Sequence, residues 1–319
     1  MKNMSSLLES PLMQKLSSSS TILIAGIGGG FDIYAGLPLY FNLLAQNKII
    51  HLANYSFTQL QKTTAKEIHS LCYQVTPNST HPSSNYFHEK YLAEWLTQQS
   101  LDPTVYAFAG TGPKNLKESY ITLCHKLNID TLLLIDGGTD GLMFGDEEDL
   151  GTPLQDYTSL AAAYQIPHIK KYLGCIGFGI DQISHNCFLD NVATITQQGG
   201  FLGTHQLLPQ ISESQLYTSA VEYANQKMPG HESIINNAII ASLNGHLGSD
   251  YIAAKTRAKN LSTHPLMSQY WFFQLDTFIQ NSCYYDLIKD LEEIDEVVEA
   301  LRLKLPLIKP MRKTKQVIL

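Results

Sequence analysis

Four apolar runs in this chain each end in a glycine turn, and that recurrence most narrows the fold it can adopt. They are residues 21–25 (TILIA) before Gly26-Ile27-Gly28-Gly29-Gly30, residues 104–109 (TVYAFA) before Gly110-Thr111-Gly112-Pro113, residues 131–135 (TLLLI) before Asp136-Gly137-Gly138, and residues 172–179 (YLGCIGFG). Short runs rich in apolar and β-branched residues read as strands buried on both faces, as in a parallel sheet. Helix-period segments follow at 33–46, 114–127 and 151–164, and an amphipathic helix is expected at 87–98, with a further strand at 48–54. Strand, glycine loop, helix and strand in succession begin a doubly wound sheet. The fold class expected is therefore α/β, Rossmann-like, with a mainly parallel doubly wound sheet.

Local punctuation sets the finer boundaries. Asp32 suits the N-cap of the first helix, and Pro38 inside that helix should kink it or delay its start. Thr152 as N-cap and Pro153 as first helical residue suit the start of the 151–164 helix. Residues 77–84 (PNSTHPSS) form a loop. From about 212 the chain turns mainly helical, with helices at 214–226 and 233–243 and one acidic amphipathic helix over 285–305. The aromatic-rich segment 264–279 reads as core beneath these covering helices. The organisation expected is an N-terminal arm at 1–19, a single α/β domain at 20–305 and a basic tail at 306–319.

The most informative stretch is 129–156, IDTLLLIDGGTDGLMFGDEEDLGTPLQD. Its strand breaks directly into Asp136-Gly137-Gly138-Thr139-Asp140, at the carboxyl end where open α/β sheets place their sites. Seven acids lie between 136 and 156 with no Lys or Arg among them. Such crowding needs water, a cation or a polar ligand to offset the repulsion. Asp136 and Asp140 can share a hard cation such as Mg²⁺, or one of them can act as a general base. Asp146 and Glu147 rank behind them, and Glu148 and Asp149 should face solvent.

The glycine turns point to anion binding. Gly28, Gly29 and Gly30 with Asp32 suit a phosphate held by backbone amides at a helix N-terminus. The loop GIGGGFD has Phe31 where a dinucleotide fingerprint needs its last glycine, and it lacks the Lys of a P-loop. No acid stands at the end of the second strand to hold an NAD ribose, although Asn54 there can contact a hydroxyl. Gly110, Thr111 and Gly112 form a candidate second cradle, with Lys114 beside it. Gly137, Gly138 and Thr139 complete the ligand-binding set. His185, just beyond the Gly177-Phe178-Gly179 turn and Asp181, is the histidine with the best claim to catalysis, and His231 follows it.

Composition excludes several classes. A net charge of −7 over 319 residues argues against a nucleic-acid binder, since phosphate contacts need a basic surface. The only dense run of cations, 309–315, reads as a solvated tail. Five widely spaced cysteines without a CxxC pair indicate neither a zinc knot nor a disulfide framework. No apolar run approaches the roughly 18 residues a membrane span needs, and the N-terminus has no continuous apolar core or cleavage site. A cytoplasmic protein with a small-molecule partner is expected, and a homo-oligomer stays open.

GGGFDIYAGLPLY, IDGGTDGLMFGDEEDLGTPLQD, SIINNAIIASLNGHLG and HPLMSQYWFFQLD together resemble a family catalogued as a domain of unknown function, with archaeal and bacterial members. The resemblance runs from about residue 20 to about 280, with DGGTDGLMFGDE as its most specific part. It implies one large Rossmann-like domain and no catalytic assignment. Gly141 stands where the family usually has Ser, so a hydroxyl role does not carry over to that position.

The expected function is that of an enzyme acting on a nucleotide or other phosphorylated ligand. A hydrolase of phosphoester or N-glycosidic bonds is favoured, with Asp136, Asp140, Glu147 and His185 as candidate catalytic residues. Two other readings stand beside it: a non-catalytic module binding NAD or ADP-ribose, and an NAD-consuming transferase.

Overall fold

A computed structural model describes residues 9–147, 151, 154–249 and 261–307. One nine-stranded sheet runs through them in the order β3-β4-β5-β2-β1-β6-β7-β9-β8. Its centre is five parallel strands: β5 (Val105–Phe108), β2 (Ile49–Tyr55), β1 (Thr21–Gly26), β6 (Thr131–Asp136) and β7 (Lys170–Cys175). The protein is thus a Rossmann-like α/β fold, with its strand order reversing between β1 and β6.

Side chains alternate across the sheet, as the two-residue strand period requires. Ile22 and Ile24 of β1 and Leu133 and Ile135 of β6 join the core on one face. That face is covered by α2 (Asp32–Ala35), α3 (Leu37–Ala45), α4 (His88–Gln98), α8 (Ser212–Lys227) and α9 (Ile234–Leu243). Leu23, Ala25, Leu132 and Leu134 join the opposite core, under α5 (Pro113–Leu127), α6 (Leu154–Tyr164) and α7 (His185–Gln197). The same side carries α10 (Leu275–Asn281), α11 (Tyr285–Ile288) and α12 (Ile294–Lys304).

Several boundaries differ from expectation, each for a local reason. The helix expected at 33–46 divides at Gly36, where a β-carbon would lie 2.8 Å from Ile24 Cγ2, and restarts with Pro38 in its first turn. Asp32 is not the cap but the first helical residue, because its carboxylate turns back to the preceding loop. The mainly helical reading beyond 212 missed β9 (Gln269–Gln274), which lies antiparallel between β7 and β8 (Phe201–Gln206). Apolar residues on both faces of β9 remove the alternation that marks a strand, so YWFFQ reads locally as core. The antiparallel edge hairpin β3 (Lys66–His69) and β4 (Cys72–Val75) was missed for the opposite reason: β3 is short and largely solvated.

The helix expected over 285–305 is two helices. Glu293 and Glu296 form a capping box that starts α12. In the N-terminal arm, α1 (Pro11–Ser17) buries Leu12 and Leu16, and Ser10 Oγ meets His205 Nε2 of β8 at 2.8 Å. The Thr152–Pro153 helix start, the solvent positions of Glu148 and Asp149, and the tail beyond 307 lie outside the described residues. No helix among the described residues is long and apolar enough to cross a membrane.

Candidate metal centre

The site is assembled where β1 and β6 end side by side, at the switch point where doubly wound sheets open a crevice. Asp32 arrives on the first turn of α2, after the glycine loop of β1. Asp136 is the last residue of β6, and Asp140 opens a single 3₁₀ turn, Asp140–Leu142. Asp156 comes from the first turn of α6, and Asp181 from the loop after β7. Asp32, Asp136, Asp140 and Asp156 are each no more than 5% exposed.

The glycine turns do cradle anions, but those anions are the protein's own aspartates. Gly28 N–H donates to Asp32 Oδ2 at 2.5 Å, and Gly141 N–H donates to Asp136 Oδ2 at 3.1 Å. Thr139 donates to Asp181 Oδ2 from its amide at 2.6 Å and from its hydroxyl at 3.3 Å. The carboxylates come so close to the backbone that a side chain has no room. A β-carbon at Gly28 would lie 2.6 Å from Asp32 Oδ2 and 2.7 Å from Asp156 Oδ1, and one at Gly138 would lie 2.8 Å from Asp181 Oδ2. Glycine at 28 and 138 therefore serves close approach of carboxylates, a role the sequence reading did not assign to these turns.

Electrostatically the cluster is unbalanced. No ion pair among the described residues reaches Asp32, Asp136, Asp156 or Asp181. Burial, then the charge of neighbouring aspartates, pushes Asp32 up to about 8. Burial followed by the Asp140 charge raises Asp181 to about 7. The same causes hold Asp136 and Asp156 well above the ordinary carboxylate range. Asp156 Oδ1 is buried without a hydrogen-bond partner. A buried acceptor left unmade costs free energy unless something else meets it.

One oxygen from each of Asp32, Asp136 and Asp156 lies within 4.8 Å of the others. Two oxygens on opposite sides of a cation bound at about 2.4 Å are ~4.8 Å apart, so the trio fits a hard divalent ion. Asp136 was expected to pair with Asp140; instead it meets Asp32 and Asp156. The Asp140 carboxylate lies toward Gly151, where a β-carbon would be 2.9 Å from Oδ2. Asp156 and Asp181 were missed as site residues, although each had a signal. Asp156 stands in the first turn of a helix opening on the site, and Asp181 repeats the pattern of strand, glycine and acid seen after β6.

Three other expected site elements have different roles. Glu147 braces the loop with both its oxygens: it accepts from Phe144 N and Gly145 N at 2.8 Å each and from Asn191 Nδ2 at 2.6 Å. Glu147→Ala should leave those buried donors unmade and cost about 2–4 kcal/mol. Chemical denaturation checks it, and an unchanged midpoint would refute the bracing role. Gly110, Thr111 and Gly112 form no second cradle. Gly112 N donates to Glu292 O at 2.8 Å, Thr111 Oγ1 donates to the same carbonyl at 2.9 Å, and Lys114 pairs with the Glu292 carboxylate. That contact holds the segment between α11 and α12, where the expected long helix breaks. His185 opens α7 as an exposed residue against Phe178 and His264, with ring centroids 4.7 and 6.1 Å away, and no hydrogen bond or ion pair joins it to the acids.

Beneath the first glycine loop lies a buried polar group not anticipated as a unit. Asn54 Nδ2 donates to Gly30 O at 2.9 Å and Glu89 Oε1 at 3.0 Å, and His88 Nε2 stands 3.0 Å from the same Glu89 oxygen. Asn54 thus supports the loop through its Nδ2, while its Oδ1 is buried without a hydrogen-bond partner.

No curated protein matches the chain. Among solved structures, the zinc-inhibited form of teicoplanin deacetylase Orf2 is similar at 8% identity, over 80% of this chain and 98% of that one, with a TM-score of 0.33. The family described as "Protein of unknown function (DUF1152)" matches residues 56–305. That range holds Asp136, Asp140, Asp156 and Asp181, and begins after β1 and Asp32. With a match over most of its length, the chain belongs to the DUF1152 family.

Proposed function

We propose that the protein is a divalent-cation-dependent hydrolase acting on a nucleotide or another phosphorylated ligand, cleaving a phosphoester or N-glycosidic bond. The observation that carries this reading is the meeting of Asp32, Asp136 and Asp156, from three separate segments, within the span of one cation. Buried carboxylates without a Lys or Arg partner repel each other and repel a phosphate. Asp32, Asp136 and Asp156 would hold a divalent ion, which would offset both repulsions, give the unpartnered Asp156 oxygen a partner and supply an activated water. The amides of Gly28, Thr139 and Gly141 are already engaged by aspartates, so substrate oxygens would be held by the cation instead. Asp140 and Asp181 lie outside the trio; one of them would accept the proton lost by the attacking water and return that proton to the leaving group as its bond breaks.

The test is calorimetric titration of the chelator-stripped protein with Mn²⁺ and Mg²⁺, followed by hydrolysis assays. Nucleotides, sugar phosphates, nucleosides, NAD and ADP-ribose are followed for release of phosphate and of base. Cation binding with cation-dependent release from one class is expected. Absence of cation binding would sink the reading. Tight, cation-independent binding of NAD or ADP-ribose without turnover would replace it with a binding module.

A further inference from the structure

Beside the carboxylates stands a wall of rings that the cation chemistry does not use. Phe57, in the loop after β2, is 49% exposed although its ring lies directly on the glycine loop. A β-carbon at Gly29 would be 2.6 Å from the ring's Cε1 and Cζ, and the Gly29 φ of +88° is one that only glycine adopts freely. The bare backbone is the seat on which this ring rests. Tyr86 comes to the same place: its hydroxyl would lie 3.3 Å, and Phe57 Cδ2 3.6 Å, from a β-carbon at Gly30. The Tyr86 ring also packs against His88 at 5.2 Å and the exposed His231 at 5.4 Å.

These rings and the acids share one loop. Gly28 donates to Asp32, Gly29 and Gly30 carry Phe57 and Tyr86, and Phe31 stacks on His88 at 5.4 Å immediately before Asp32. A lone exposed Phe is ordinary. A Phe seated on glycine backbone, next to a tyrosine hydroxyl and at the edge of a buried ionic site, has the form of a recognition surface.

We propose that Phe57 and Tyr86 form a stacking seat for the base of a nucleoside or nucleotide, whose ribose or phosphate reaches the Asp32–Asp136–Asp156 site. The inference deepens the cation reading and rests on it for what lies beside the seat. A planar base suits the place better than an aliphatic group. Every base has a π-face to lay on an aromatic ring, and the Tyr86 hydroxyl and His231 can meet its polar edge. A neutral base also meets no repulsion at the rim of an acidic site.

The experiment titrates adenosine, uridine and ribose by calorimetry into wild type, Phe57→Ala and Phe57→Tyr, with Mn²⁺ and separately with chelator. Circular dichroism confirms that the variants fold, and Mn²⁺ affinity is measured in each. Nucleosides should bind wild type and lose about tenfold in affinity with Phe57→Ala, which is ~1.4 kcal/mol. Phe57→Tyr should stay within about threefold, and Mn²⁺ affinity should be the same in all three. Equal nucleoside affinity in wild type and Phe57→Ala overturns the seat, as does absence of nucleoside binding to wild type. Phe57-dependent nucleoside binding in a wild type that fails to bind Mn²⁺ would instead sink the cation reading and leave the seat standing.

Discussion

Asp136→Asn should abolish cation binding and lower turnover by at least about 10³-fold, while raising the melting temperature of the cation-free protein. The first two effects follow because Asp136 supplies one of three carboxylate oxygens within 4.8 Å of each other, and an amide replaces its charge with a weaker dipole. The third follows from burial. Asp136 is 3% exposed among Asp32, Asp140, Asp156 and Asp181, with burial and their charges holding its carboxyl well above the ordinary range. Removing one acid relieves part of that strain, and for a chain of this size each kcal/mol gained adds on the order of 2 °C. Gly141 N–H keeps an acceptor, since the Asn carbonyl can replace Asp136 Oδ2. A purely structural Asp136 would behave oppositely, losing stability on substitution. Calorimetry with Mn²⁺ and thermal unfolding in chelator measure both limbs, and a variant that still binds Mn²⁺ at wild-type affinity would refute the assignment.

The cation-free protein should become less stable as pH rises from 5 to 8, and a saturating cation should restore more stability at pH 8 than at pH 5. The sign comes from Asp32 and Asp181, raised from the ordinary 3.8 to about 8 and about 7. Their protons are held more tightly folded than unfolded. The stability they contribute is fully present below about 3.8 and is lost as pH climbs through about 7 for Asp181 and about 8 for Asp32. Glu89, whose pKa is depressed by its fully buried contact with His88, works in the other direction, but its contribution is lost only as pH falls below the ordinary carboxylate range. It is therefore constant across this window; His51, His205 and His264, lowered from 6.5 by burial, oppose the loss within it, and the raised Asp136 and Asp156 add to it. Cation binding expels protons from the same carboxylates, so its benefit grows with pH. At 100 times Kd it should add about 2.7 kcal/mol. Melting curves in chelator and in Mn²⁺ across the range decide it: a cation-free melting temperature that rises toward pH 8 would contradict the assigned burial of these acids.

The five parallel strands, the glycine turn at each of four strand ends and the acid-dense stretch after β6 were all readable from the chain, because each is a local pattern of period and punctuation. The sequence also pointed to the carboxyl end of β6, where open α/β sheets place their sites. What it left open was which anion each glycine amide would face. Gly28 and Thr139 look ready for phosphate in isolation, and only the folded sheet brings Asp156 of α6 against Gly28 and Asp181 of the loop after β7 against Thr139. Gly112 looks equally ready, and only the packing of the α11–α12 segment fills its turn with Glu292 O. β9 belongs to the same class: YWFFQ becomes a strand because β7 and β8 both offer it an antiparallel edge, a fact no window of sequence contains. Period and turn chemistry act over a few residues, whereas a carboxylate cluster depends on distances between segments far apart in the chain. The first the sequence determined alone; the second required the folded sheet to bring those segments together.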